Sequence, residues 1–105
     1  MEMNDPFDEL LNAKDPVSKD VFVFKKITDS MVSTYTKKNL CYGDSFNKTM
    51  QEYGLVAPCI RLTDKLNRFK TLVDRNIDGI DNESIKDTLL DMANYCVMTL
   101  CNLEK

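Results

Sequence analysis

Apolar residues recur at helical spacing along most of the chain. Val17, Val21, Phe24, Met31 and Tyr35, with Thr28 between them, share one side of a helix turned about 100° per residue. Phe22, Val23 and Ile27 widen that stripe. Asp15-Pro16 marks the start, with Asp as N-cap and Pro at the first helical position. The run Val21-Phe22-Val23-Phe24 also suits a strand, but no second strand-like run offers a partner, so the segment reads as helix. Lys37 and Lys38 lie in its last turns, where cations suit the helix dipole. Tyr42-Gly43-Asp44-Ser45-Phe46 breaks the pattern. Gly43 suits the left-handed position that ends one helix, and Asp44 or Ser45 can cap a short second one that runs to Tyr53 and stops at Gly54. Pro58 opens a third helix reaching about Asn76, striped by Cys59, Leu62, Leu66, Phe69 and Val73. After a turn at 77–82, Asp81 or Asn82 caps the last helix.

That last helix carries the most telling pattern. Ile85, Leu89, Met92, Cys96, Leu100 and Leu103 form one face, while Glu83, Asp87, Asp91 and Asn94 fall within an arc about 80° wide on the other. Past Asn94 the acidic arc turns apolar through Met98 and Cys101, so the helix is expected to be largely buried. The expected fold is all-α: a small bundle of three long helices and one shorter helix. Residues 15–105 form a single helical domain behind a mobile N-terminal arm at 1–14, whose Phe7, Leu10 and Leu11 can dock as a short turn. The first and last helices carry more apolar width than one neighbour covers, which predicts a homo-oligomer, a dimer first of all.

Composition narrows the chemistry. The 105 residues carry a net charge of −3 and no basic run, which argues against nucleic-acid binding. No apolar run approaches a membrane span, and Met-Glu-Met-Asn-Asp-Pro at the start is acidic and unlike a signal peptide, so a cytoplasmic protein is expected. Histidine is absent, which removes Ser-His and Cys-His nucleophiles. Cys41, Cys59, Cys96 and Cys101 include no Cys-x-x-Cys pair and are expected to be buried reduced thiols. Carboxylates, lysines or a metal must therefore carry any reaction.

Carboxylates four apart on one arc repel by about 0.2–0.5 kcal/mol per pair, and no Lys or Arg shares the arc of Glu83, Asp87 and Asp91. Two readings meet this pattern: a solvated acidic face, or oxygen ligands for a hard divalent cation. On the third helix Arg61, Asp64, Arg68 and Arg75 form a second stripe, with Lys65 at its edge. It is either an exposed face braced by an Asp64–Arg68 pair, or the place where Asp64 joins the acids of the last helix while Arg61, Lys65 and Arg68 meet phosphates. Gly43 is either helix punctuation or a point where a ligand approaches the backbone, with Tyr42 or Phe46 stacking on it.

Three blocks in this order are distinctive: Tyr42-Gly43-Asp44-Ser45-Phe46, then Arg61-Leu62-Thr63-Asp64-Lys65-Leu66-Asn67-Arg68, then Glu83-Ser84-Ile85 with the run from Asp87 through Tyr95. Over roughly residues 17–103 the chain resembles the first of the nucleotide-modification-associated domain families, found largely in bacteriophages and in bacteria carrying phage-like genes. The resemblance implies a phage-type, cytoplasmic nucleotide-binding protein acting in nucleotide metabolism or modification. More loosely, the chain is similar to all-α nucleoside triphosphate pyrophosphohydrolases, which hold magnesium on acids of two helices. That similarity implies magnesium on Asp64, Glu83, Asp87 and Asp91, phosphates on Arg61, Lys65 and Arg68, and a metal-bound water as nucleophile. The alternative is a non-catalytic oligomer that sequesters a nucleotide signal from host defence, using the same phosphate contacts without a metal cage.

Overall fold

The computed structural model describes residues 16–42, 44–75 and 82–105. They form an all-α protein of four helices: α1 (Pro16–Tyr42), α2 (Ser45–Tyr53), α3 (Val56–Arg75) and α4 (Asn82–Leu103). The 1–14 arm, Asp15, Gly43 and the connecting turn up to Asp81 lie outside the described residues. The chain divides into two compact units, residues 1–37 and 38–105.

In the first unit α1 begins with Pro16 at its first position, where the missing N–H costs nothing. Lys25 and Asp29, one turn apart, pair at 2.7 Å. Thr28 and Ser30 fold their hydroxyls back onto the carbonyls of Lys25 and Ile27.

The second unit is a small bundle in which α3 packs along α4 and α2 leans on both. Its turns follow from local chemistry. Asp44 itself takes the left-handed conformation, φ 64°, before α2. Its side chain makes no N-cap bond to the backbone and instead accepts from Asn47 Nδ2 at 2.6 Å. Gly54 stops α2 as the sequence predicts, with φ 69° and its N–H donating to Met50 O at 2.8 Å. Helix α3 starts at Val56, earlier than expected, so Pro58 is its third residue. A proline is accepted there because the first-turn N–H groups have no intrahelical partner. Asn102 Nδ2 donates to Asn47 Oδ1 at 2.7 Å and to Met98 O at 3.0 Å, tying the start of α2 to the end of α4.

The expected apolar interior is corrected by the structure. Among the described residues no aliphatic or aromatic side chain is fully buried; Thr88, 2 % exposed, and Pro58 are. In α4 the face expected inside leaves Leu89, Cys96, Leu100 and Leu103 exposed, Leu103 at 59 %. The face turned inward is offset by one residue and runs through Thr88, Asp91, Tyr95 and Asn102. The same offset appears in α3, where Cys59, Leu66 and Val73 are exposed and Pro58, Leu62, Lys65, Phe69 and Leu72 are covered. All four cysteines are free, as expected, but exposed instead of buried. The physical reason is that the α3–α4 seam is made by side chains that can bond across it, and those lie on the polar flank of each stripe.

The Gly54 turn gives a direct test. A Cβ there meets no atom within 4 Å, so the cost of a side chain is conformational alone. With ψ at −155° the residue lies outside the left-handed helical well that Asn tolerates, so Gly54→Ala and Gly54→Asn should each lower stability by about 1–3 kcal/mol in urea unfolding. Equal, negligible losses in both would show that the turn relaxes.

Candidate functional site

The seam is built from a repeated spacing. On α3 the cations Arg61, Lys65 and Arg68 succeed one another by four and then three residues, so they share one face. On the antiparallel α4, Tyr95, Asp91 and Thr88 descend by the same steps. Each cation meets its counterpart. The Arg61 guanidinium carbon lies over the Tyr95 ring, 5.8 Å from its centre. Lys65 Nζ is 3.0 Å from Asp91 Oδ2. Arg68 Nε donates to Thr88 Oγ1 at 3.2 Å, and that hydroxyl donates in turn to Ser84 O at 2.8 Å.

Two further elements close on this seam. From α2, the Phe46 ring stacks on Tyr95 with centres 6.0 Å apart and planes 23° from parallel. From the last turns of α1, Lys38 Nζ reaches Asp91 Oδ1 at 3.7 Å. Asp91 thus offers one oxygen to each of two ammonium groups from different helices. Its side chain is 32 % exposed and that of Lys65 28 %, so each pair is worth at most about 1 kcal/mol. The outcome is a carboxylate shared by two lysines and, one turn along α4, an aromatic pair with an arginine over one ring, all open to solvent.

The sequence-predicted residues divide accordingly. Arg61, Lys65, Phe46 and Asp91 come together, and Arg68 joins through Thr88. Lys65, placed at the edge of its stripe by sequence, is central, whereas Asp64 is exposed away from it. Among the described residues Asp64, Glu83 and Asp87 form no ion pair, and no three acids or thiols gather in a group that could hold a metal ion. Gly43 lies outside the described residues, and of Tyr42 only its backbone, the last residue of α1, is described. Sequence reasoning missed Lys38, Thr88 and Tyr95. The matched 61-65-68 and 88-91-95 spacings could have found the latter two. For Lys38 no local signal exists, since its partner stands on another helix far along the chain.

The chain belongs to the nucleotide modification associated domain 1 family, whose model matches residues 38–103. The matched segment begins where the second compact unit begins and contains the whole cluster. No curated protein and no solved structure matches the chain. No helix among the described residues is long and apolar enough to cross a membrane.

Thr88 is the buried point on which the seam turns. Thr88→Val keeps the shape but removes both hydrogen bonds, and should cost about 0.5–1.5 kcal/mol. Thr88→Leu adds volume where none is free and should cost about 1–3 kcal/mol. Chemical denaturation followed by circular dichroism reads both; no loss in either variant would place Thr88 outside the packed seam.

Proposed function

We propose that residues 38–105 bind a nucleotide or modified nucleotide by its phosphate, with Lys38, Lys65 and Arg61 as the anion contacts and the Phe46–Tyr95 pair beside them for the base. One observation carries this reading: two lysines from different helices converge on the two oxygens of a single carboxylate, next to an arginine and a stacked aromatic pair. Ammonium and guanidinium groups bind phosphate through charge-assisted hydrogen bonds, and aromatic rings accept bases without needing their edges. The family's description, which ties its members to nucleotide modification, points the same way.

The reading favours binding over hydrolysis. A magnesium site on Asp64, Glu83, Asp87 and Asp91 needs several acids within reach of one ion. In this chain Asp91 is committed to two lysines, and the other three are not gathered with it. The donor set does not fit a magnesium cage, so we take the cations as the working groups. In a phage setting such a protein acts in nucleotide metabolism or modification, or withholds a nucleotide signal from host defence. Both roles need only the phosphate contacts.

Calorimetric titration of ATP, tripolyphosphate and adenosine, with and without magnesium, tests the reading. Lys65→Met should weaken the phosphate-bearing ligands by about ten- to a hundredfold and leave adenosine little changed, since a charge-assisted contact is worth about 1.5–3 kcal/mol. Tyr95→Ala should weaken nucleotide and nucleoside alike. Binding that vanishes with chelator, or that ignores Lys65, would return the site to the acids.

We further propose that the protein works as a homo-oligomer, a dimer in the simplest case. Residues 38–105 by themselves leave Leu89, Leu100 and Leu103 exposed along one side of α4, and a second copy would cover them. Sedimentation at high micromolar concentration should show a dimer, and Leu100→Lys should return it to monomer. A wild-type monomer at that concentration removes the claim.

A further inference from the structure

Asp91 stands where an anion would stand. Its two oxygens are held one each by Lys38 and Lys65, the bridging geometry that two oxygens of a phosphate also present. Among the described residues Asp91 has no ion pair or hydrogen bond apart from these two lysines. Nothing else fixes the carboxylate: it is partly exposed, and the Lys38 contact at 3.7 Å is a loose one. A group bound only through partly exposed ion pairs is weakly held and easily exchanged for a more highly charged anion.

Resting on the phosphate-binding reading above, we propose that Asp91 is a built-in competitor that occupies the phosphate position in the free protein. It leaves when a phosphate takes its two lysines. Ligand affinity is thereby set by an exchange of anions and not by filling an empty pocket. The carboxylate keeps Lys38 and Lys65 converged while no ligand is present, which spares the cost of gathering two like charges at the moment of binding. It also raises the threshold for singly charged anions, which gain nothing over the carboxylate they displace. The substrate class that follows is a di- or triphosphate, or a phosphate dianion, in preference to a carboxylate or a phosphodiester of single charge.

Three outcomes separate this from the competing roles of Asp91. Removing a competitor tightens binding; removing a metal ligand abolishes it; removing a brace for the fold lowers stability and leaves affinity alone. The experiment titrates inorganic tripolyphosphate, in magnesium-free buffer, into wild type, Asp91→Asn, Lys65→Met and Asp87→Asn. Asp87 stands one turn before Asp91 and outside the ion pairs, so its variant measures the general effect of one negative charge fewer on α4. Asp91→Asn should bind about three- to tenfold more tightly than wild type, from two surface-type pairs each worth up to about a factor of five. Asp87→Asn should tighten binding by about twofold at most, and Lys65→Met should weaken it. Equal gains in Asp91→Asn and Asp87→Asn, or unchanged or weaker binding in Asp91→Asn, overturn the competitor while Lys65-dependent binding in wild type keeps the phosphate site. No binding to wild type, or binding indifferent to Lys65, overturns the site itself. Should Asp91→Asn fail to fold, wild type suffices: on saturation with tripolyphosphate the 13C carboxylate resonance of Asp91 should move, and more than that of Asp87. A stationary Asp91 resonance in a saturated protein overturns the exchange.

Discussion

The bundle formed by residues 38–105 depends on the contact between α3 and α4, and polar pairs set its register. A seam of aliphatic side chains tolerates sliding, because one leucine replaces another with little loss. Here a slip of one turn separates Arg68 from Thr88, Lys65 from Asp91 and Arg61 from Tyr95 in a single move. At 2 % exposure the Thr88 hydroxyl donates to Ser84 O within α4 whatever the register, and its one bond across the seam is the Arg68 N–H it accepts. Register and bonding are therefore one constraint.

A seam registered by polar pairs has a consequence for the rest of each helix. With Thr88, Asp91 and Tyr95 turned to α3, Leu89, Cys96, Leu100 and Leu103 are carried about a third of a turn away from it. In α3 Leu62 and Phe69 lie beside Lys65 on the covered face, Arg61 and Arg68 at its exposed edge, while Leu66 and Val73 are turned out. Part of each apolar stripe that looks like a core in sequence is thus turned away from the facing helix. The side chains that look like a charged surface make the pairs across the seam.

The helices themselves were legible, because periodicity, Pro16 and Gly54 are local signals whose physics acts within one turn. Their rotation was not. A stripe of Ile85, Leu89, Met92 and Cys96 declares an apolar face but does not say what it faces, and the choice between that face and its neighbour was decided by partners on α3. Of the candidate site, the sequence offers the α3 stripe of Arg61, Asp64, Arg68 and Arg75 with Lys65 at its edge, because those residues share one helix. The fold turns Lys65 inward onto Asp91 and leaves Asp64 exposed, a rotation that the spacing along α3 does not encode. Lys38 shows the limit most plainly. Two whole helices, α2 and α3, separate it in the chain from its partner Asp91, and no spacing in the sequence encodes that meeting.

The two ends of the seam carry different burdens, and that division would let the proposed binding site share a structural contact. At the Thr88 end the threonine is buried and the Arg68 bond marks the register. At the Asp91 and Tyr95 end the pairs are partly exposed and weak, so exchanging one anion for another there loses little fold stability. The cations needed to fix α4 on α3 are the same ones that, a turn further along, face solvent with a single carboxylate among them. Charge therefore accumulates at the open end for structural reasons, on a protein that is acidic as a whole. A phosphate ligand drawn to that end adds negative charge where the local balance is positive. The surrounding acids, Asp64 and Asp87, repel anions that approach elsewhere along these two helices.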